Sequence, residues 1–300
     1  MTHPPSSVGR PILAAAAFQA AKTRGGAEVP GIVPPRDPRP VGQPQAGVRR
    51  PLWPTLTLCV LLLTNCAPAS KTHKLTIAAA SDLNFALREI GTQFRAAHPE
   101  IELEIGYGSS GNFYTQITNS APFDIFLSAD IEYPRKLAAA GIGRADSLFT
   151  YGVGRIVVWV PATSALDPAT ALRSPGVKHL AIANPQHAPY GRATEAALHS
   201  LGVYDALKPK LVLGENISQT LQFAESGAAD VGVVALSLAL VPEARAKGRY
   251  WEIPIDAYPR MEQGGIILKE STAARDFRAF LLNGAGRQTL KQYGFSIPSE

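Results

Sequence analysis

The sequence predicts an α/β fold built as two lobes. Three observations predict it. From Lys74 onward, short apolar runs of strand length alternate with segments whose apolar residues recur at helical spacing, the pattern of strand–helix units around mostly parallel sheets. Four strand-to-helix turns carry small or hydroxyl residues, two before the apolar strand Arg155–Val160 and two after it. The composition is globular, 46% hydrophobic and 18% charged over 300 residues, which suits two lobes of ~100–150 residues, each with its own core. The expected division assigns 74–156 with 262–300 to lobe 1 and 157–261 to lobe 2.

The elements follow in order. Leu75–Ala79 is a short buried strand. Leu83, Ala86, Leu87, Ile90, Phe94 and Ala97 mark a helix stopped by Pro99. Ile101–Ile105 alternates Ile/Leu with Glu, as a strand with one wet face does. Asn112–Asn119 is a short helix, Asp124–Leu127 a strand, and Ile131–Ala140 a helix closed by Gly141. Arg155–Val160 is a strand ended by Pro161. Leu180–Ala183 precedes a helix over Gly191–Leu201. Leu211–Leu213, a helix over Ile217–Ser226 and Val231–Val234 repeat the unit. Gly265–Leu268 is the last strand, and helices over Thr272–Leu282 and Arg287–Tyr293 finish the chain.

The first seventy residues read as an address. Residues 1–69 hold seven basic and two acidic residues, the whole formal charge of +5; the remainder is balanced. The folded part therefore offers no basic excess for nucleic acid. Residues 1–47 are rich in Pro, Gly, Ala and Arg, and are expected to be disordered or an artefact of gene calling, with Val48 as a natural start. Residues 48–69 combine Arg49-Arg50, the apolar run Leu56–Leu63 and Ala67-Pro68-Ala69, a secretory signal cleaved after Ala69. The run is too short to span a bilayer. The alternative is a lipobox, Leu63-Thr64-Asn65-Cys66, with Cys66 lipid-anchored. Both cysteines, Cys59 and Cys66, lie in this leader, so the mature chain is expected to have neither disulfide nor thiol chemistry.

The four turns are Ser81-Asp82, Ser109-Ser110-Gly111-Asn112, Pro189-Tyr190-Gly191 and Glu215-Asn216-Ile217-Ser218. Each is an ordinary helix start, since Ser, Asp and Asn are the usual N-caps. Four converging on one cleft are more than that. Ligands of open α/β sheets sit at the carboxyl ends of strands. Helix N-termini expose unpaired N–H groups and a partial positive charge, and serine hydroxyls add rotatable donors. Together they make a neutral cage for a small oxyanion.

The blocks Ala78-Ala79-Ala80-Ser81, Gly108-Ser109-Ser110, Asp124–Asp130, Asn184–Gly191, Gly214-Glu215-Asn216-Ile217 and Tyr293-Gly294-Phe295 resemble the molybdate-binding proteins of ABC importers, over about residues 74–298. Phe126–Asp130 and Asn184–Gly191 are the most specific. The resemblance implies the two-lobed periplasmic-binding-protein fold (type II), with the ligand in the interlobe cleft. It implies a periplasmic monomer that binds molybdate or tungstate without a cofactor, without enzymatic activity, and serves an inner-membrane ABC permease. Carried onto matching positions, Ser81 and Ser110 would donate hydroxyl and main-chain N–H from lobe 1, with Ser109 as an alternative to Ser110. Tyr190 and Ile217 would donate main-chain N–H from lobe 2. Asp82 would add its N–H, with its carboxylate turned away from the anion. One branch of that family carries a ligand-binding tyrosine where this chain has Ala235; Ser237 or Asn216 would have to substitute.

Rival readings are weaker. Gly106-x-Gly108-x-x-Gly111 with Asp130 nineteen residues on has dinucleotide-binding spacing, but the helix after it is short and the chain is exported. Neither Ser109 nor Ser110 sits in Gly-x-Ser-x-Gly, as a hydrolase elbow requires. The histidines lack the spacing of a zinc helix. Sulfate, phosphate or an organic anion would keep the fold and change the cargo.

Overall fold

The computed structural model describes residues 73–297. The export signal, the proposed lipidation site Cys66 and the extension 1–47 lie outside the described residues. Two five-stranded sheets organise the chain. The first has the order β2-β1-β3-β10-β4, from β1 (His73–Ala80), β2 (Ile101–Gly108), β3 (Ile125–Ser128), β4 (Phe149–Gly154) and β10 (Met261–Ile267). The second has the order β7-β6-β8-β5-β9, from β5 (Ile156–Pro161), β6 (Leu180–Ala183), β7 (Leu211–Gly214), β8 (Val231–Ala235) and β9 (Gly248–Glu252). In this order 2-1-3 and 7-6-8, parallel units wind both ways from a central strand, which opens a crevice at the strands' carboxyl ends.

Each sheet is mixed rather than mostly parallel. β1 pairs parallel with β2 and β3, and β6 with β7 and β8. β10 runs antiparallel to β3 and β4, and β5 antiparallel to β8 and β9. The antiparallel strands are those by which the chain changes lobe. It leaves the first sheet after Gly154 and enters the second at Ile156, so only Arg155 separates them. It returns between β9 and β10, and Ile253 N–H bonds to Ile156 O at 3.2 Å, tying the two crossings together. Within lobe 1 the C-terminal segment bridges to β4, Ser296 to Val153.

Helices cover both faces. In lobe 1, α1 (Asn84–Ala97) buries Ala86, Leu87, Ile90 and Phe94, its one apolar stripe. α9 (Thr272–Leu282) and α10 (Gly284–Gln292) add Phe277, Leu281 and Leu290 to the same core. α2 (Ser110–Thr118) and α3 (Glu132–Ala139) cover the opposite face, packing Phe113, Ile117 and Leu137 against Phe126 and Ile266. In lobe 2, α4 (Pro189–Ser200) and α6 (Ile217–Glu225) pack on a core centred on Trp159, Val157, Val233 and Leu198. α5 (Tyr204–Leu207), α7 (Leu236–Ala239) and α8 (Pro242–Lys247) are short connectors.

Candidate functional site

The turns after β1, β2, β6 and β7 meet in a cleft between the sheets. Ser81, Asp82, Ser109 and Ser110 line it from lobe 1, and Tyr190 and Ile217 from lobe 2, with Ala80, Gly108, Ala129, Ala188 and Pro189 between them. The five residues singled out from sequence, Ser81, Asp82, Ser110, Tyr190 and Ile217, are thus brought together, each at most 3% exposed. The closed cavity is about 10 Å³, far below the ~300–1,000 Å³ of a pocket for a drug-sized organic ligand. No lysine or arginine lines it.

Local chain chemistry sets each donor. Ser109 is the N-cap of α2: its Oγ accepts the Asn112 N–H at 3.4 Å and meets His187 Nδ1 at 3.0 Å. That commits Ser109 to capping and leaves Ser110, the first helical residue, facing the cleft. Ser110 Oγ accepts the Ala129 N–H at 3.0 Å. Ser81 Oγ likewise accepts the Ser218 N–H at 3.4 Å. A hydroxyl that accepts a main-chain N–H keeps its own proton to give, and among the described residues neither serine donates to a protein acceptor.

In lobe 2 the donors are main-chain. Pro189 occupies the first position of α4, where no N–H is needed. The sequence expectation of a helix from Gly191 therefore starts two residues late, and Tyr190 lies inside the first turn. Asn216 caps α6, its Oδ1 accepting from Ser218 N–H and Gln219 N–H at 3.0 and 3.1 Å. The N–H groups of Tyr190 and Ile217 lie in first turns, where no intrahelical carbonyl reaches them.

The side chain of Asp82 is engaged by protein. Its carboxylate lies in a buried network joining the lobes. Oδ2 accepts from Gln263 Nε2 at 2.8 Å and from the Tyr190 hydroxyl at 3.0 Å, and Gln263 Nε2 also reaches Tyr190 Oη at 3.0 Å. Burial lifts the Asp82 carboxyl to about 6, against the lowering by Gln263, by Tyr190 and by the N–H groups of Asp82 and Leu83. Burial, and next the Asp82 charge, push the Tyr190 hydroxyl well above its ordinary value, as they do that of Tyr151. Asp82 Oδ1 and Gln263 Oε1 are buried without a partner. Gln263 gave no signal in the sequence: Met261-Glu262-Gln263 reads as loop, and the strand begins four residues earlier than expected.

Of the candidate substitutes for the tyrosine at Ala235, one is committed. The Ser237 hydroxyl donates to Asp82 O at 2.8 Å, whereas Asn216 spends its Oδ1 on the α6 cap and keeps its Nδ2 as a donor. Ala235 is buried at the end of β8 and outside the cleft lining. The glycine motif has a packing role: Gly111 N–H bonds to His187 O across the cleft at 2.8 Å, and a Cβ there would meet that oxygen at 2.5 Å. Asp130, the expected ribose partner of that motif, pairs with Arg192 of lobe 2 at 2.8 Å.

These contacts draw the lobes together. Ser218 Oγ donates to Ser81 O at 2.9 Å, and Asn112 on α2 bonds to Glu215 before α6. The fold and cleft match a known family. The family model described as bacterial extracellular solute-binding protein matches residues 75–296. The chain belongs to this family. Among curated relatives of this solute-binding protein, the molybdate-binding protein ModA of Rhodobacter capsulatus is 36% identical over 80% of this chain and 94% of its own length. A Bacillus subtilis protein described as a putative ABC transporter substrate-binding lipoprotein, YvgL, is 30% identical over 79% and 94%. Among solved structures, the periplasmic molybdate-binding protein of Azotobacter vinelandii superposes with a TM-score of 0.70 at 32% identity, covering 75% of this chain and all of that one.

Proposed function

We propose that this solute-binding protein captures a tetrahedral oxyanion, molybdate or tungstate, in the interlobe cleft and delivers it to the permease of an ABC importer. One observation carries the reading. Two serine hydroxyls with an uncommitted proton from lobe 1 face two helix starts of lobe 2 in a space with no cationic side chain. Such a site holds an anion by hydrogen bonds rather than ion pairs, and favours one that is fully ionised and small. Ser81, Ser110, Tyr190 and Ile217 are the proposed donors. An anion touching both lobes stabilises the closed form, which the permease would read. The protein binds and does not transform its ligand, works as a monomer and needs no cofactor. Residues 48–69 would direct export, and the lipoprotein relative supports anchoring through Cys66 as the alternative to cleavage after Ala69.

The test is thermal unfolding with molybdate, tungstate, sulfate, phosphate and NAD in turn. A ligand that binds only the folded state adds ~4 kcal/mol at a thousandfold excess over Kd. A large rise with molybdate and tungstate alone is expected. A rise with sulfate or phosphate instead reassigns the cargo, and no rise with any anion overturns the reading.

A further inference from the structure

We propose that Asp82 is a proton-accepting, specificity-determining residue of the cleft: an anion enters together with one proton, which Asp82 takes up. The inference rests on the oxyanion reading above.

The geometry carries it. Asp82 lines the cleft and is 1% exposed. Its carboxylate binds across the lobes to Tyr190, itself a lining residue, and within lobe 1 to Gln263. The side chains facing it are neutral: Gln263 from β10, Tyr190 from α4, and Tyr151 from β4. α7 offers Ser237, whose hydroxyl goes to the Asp82 carbonyl, and α6 offers Ser218, whose hydroxyl goes to Ser81. Gly154 lies against Tyr190 Oη and Gln263 Nε2, and the arginine that follows it, Arg155, is paired with Glu252 at 2.7 Å. Further out on the lobe contacts, Arg192 is paired with Asp130, and His187 lies between Ser109 and Glu215. No cation therefore compensates the carboxylate.

A buried carboxylate lacking a cation is already held above its ordinary range. A dianion placed beside it, with protein rather than water between, adds like-charge repulsion in a low effective dielectric. The repulsion is relieved when the carboxyl takes a proton. Two buried acceptors, Asp82 Oδ1 and Gln263 Oε1, have no partner. A proton on Oδ1 removes the like charge and makes the carboxyl a donor beside two neutral neighbours, Gln263 and Tyr190. Proton linkage follows: affinity falls as pH rises, by up to tenfold per pH unit between the carboxyl's values in the free and the liganded protein. The same linkage opposes anions at alkaline pH in proportion to their charge, so a dianion pays the Asp82 repulsion twice over a monoanion unless the proton arrives.

The experiment is titration calorimetry of the full chain with molybdate at pH 7, in buffers of different ionisation heat. The slope of observed heat against buffer heat counts protons bound. The expected slope is close to one proton per anion for the native chain and close to zero for Asp82→Asn. The native Kd should rise toward tenfold per pH unit above pH 7, and that of Asp82→Asn should stay flat. A second variant guards against misfolding. Tyr190→Phe keeps the carboxyl but removes a donor to its ionised form, so the pH profile should move to higher pH. A zero slope with molybdate bound, or an equal slope in Asp82→Asn, overturns the proton coupling alone. An unmoved profile in Tyr190→Phe also counts against it. No binding heat with molybdate, tungstate or sulfate overturns the oxyanion reading, and the coupling with it.

Discussion

Ser109 and Ser110 are neighbours with different duties. Ser109 Oγ is spent on capping α2 and on His187, while Ser110 Oγ accepts only from Ala129. Ser110→Ala should weaken anion binding by roughly 1–3 kcal/mol, the loss of a donor to a charged partner; calorimetry that finds unchanged affinity would remove Ser110 from the site. Asp82 acts on stability in the unliganded protein. A carboxyl raised from 3.8 to about 6 favours the folded state at low pH and loses that advantage as pH rises from about 4 through about 6. The amount is on the order of 3 kcal/mol. Asp82→Asn should therefore gain stability over the native chain as pH increases across that window, and a denaturant series at pH 4, 5, 6 and 7 checks it. The serines and Asp82 were legible in the sequence as helix-start residues. Their division of labour was not, because which hydroxyl caps and which faces the cleft depends on partners, Asn112 nearby but His187 and Ala129 distant in the chain.

At the scale of elements, α2 and α4 approach each other so closely that side-chain volume is excluded. Gly111 lets the α2 start touch the loop before α4, and Gly191 has the same role within lobe 2, where a Cβ would collide with Ala183 O. The two substitutions should differ. Gly111→Ala should leave the unliganded stability within about 1 kcal/mol, since it bars closure without disturbing either core, and should weaken anion binding at least ~10-fold, a tenfold loss being about 1.4 kcal/mol. Gly191→Ala should destabilise the fold itself by about 1–3 kcal/mol, as overpacking does. Parallel melting and binding measurements separate them. The glycines looked like a nucleotide motif in one dimension because spacing alone does not say what the missing Cβ would hit. The expected strands and helices were found where periodicity was strong. β4 and β9 escaped notice because they carry Gly, Thr, Arg or Glu in place of a continuous apolar run.

Across the whole molecule, two crossings carry the chain between sheets, one of them a single residue, Arg155. Closure is then a rotation of two well-packed lobes about adjacent backbone segments, with their cores unchanged. The lobe contacts include those of Ser81 and Asp82 in the cleft lining and those of Gly111, Asn112 and Asp130 beyond it. Small-angle scattering should show a smaller radius of gyration on adding saturating molybdate, and no such change in Gly111→Ala; equal scattering curves with and without bound anion would argue against ligand-driven closure. The two-lobed division was visible in the sequence from the placement of the four turns about Arg155–Val160. The mixed strand directions were not, since pairing sense is set by how the chain returns to a sheet.

By itself, the sequence determined the α/β class, most buried strands and helices, and the group of residues that would share a cleft. Those are local properties: apolar period, capping chemistry and the small residues that helix starts require. Only the tertiary structure decided that Asp82 joins Tyr190 and Gln263 in a buried network, that Ser237 is engaged with Asp82 O, and that Gly111 serves lobe contact. Each depends on groups tens to more than a hundred residues apart, where burial and hydrogen-bond geometry, not chain neighbourhood, set what a side chain does.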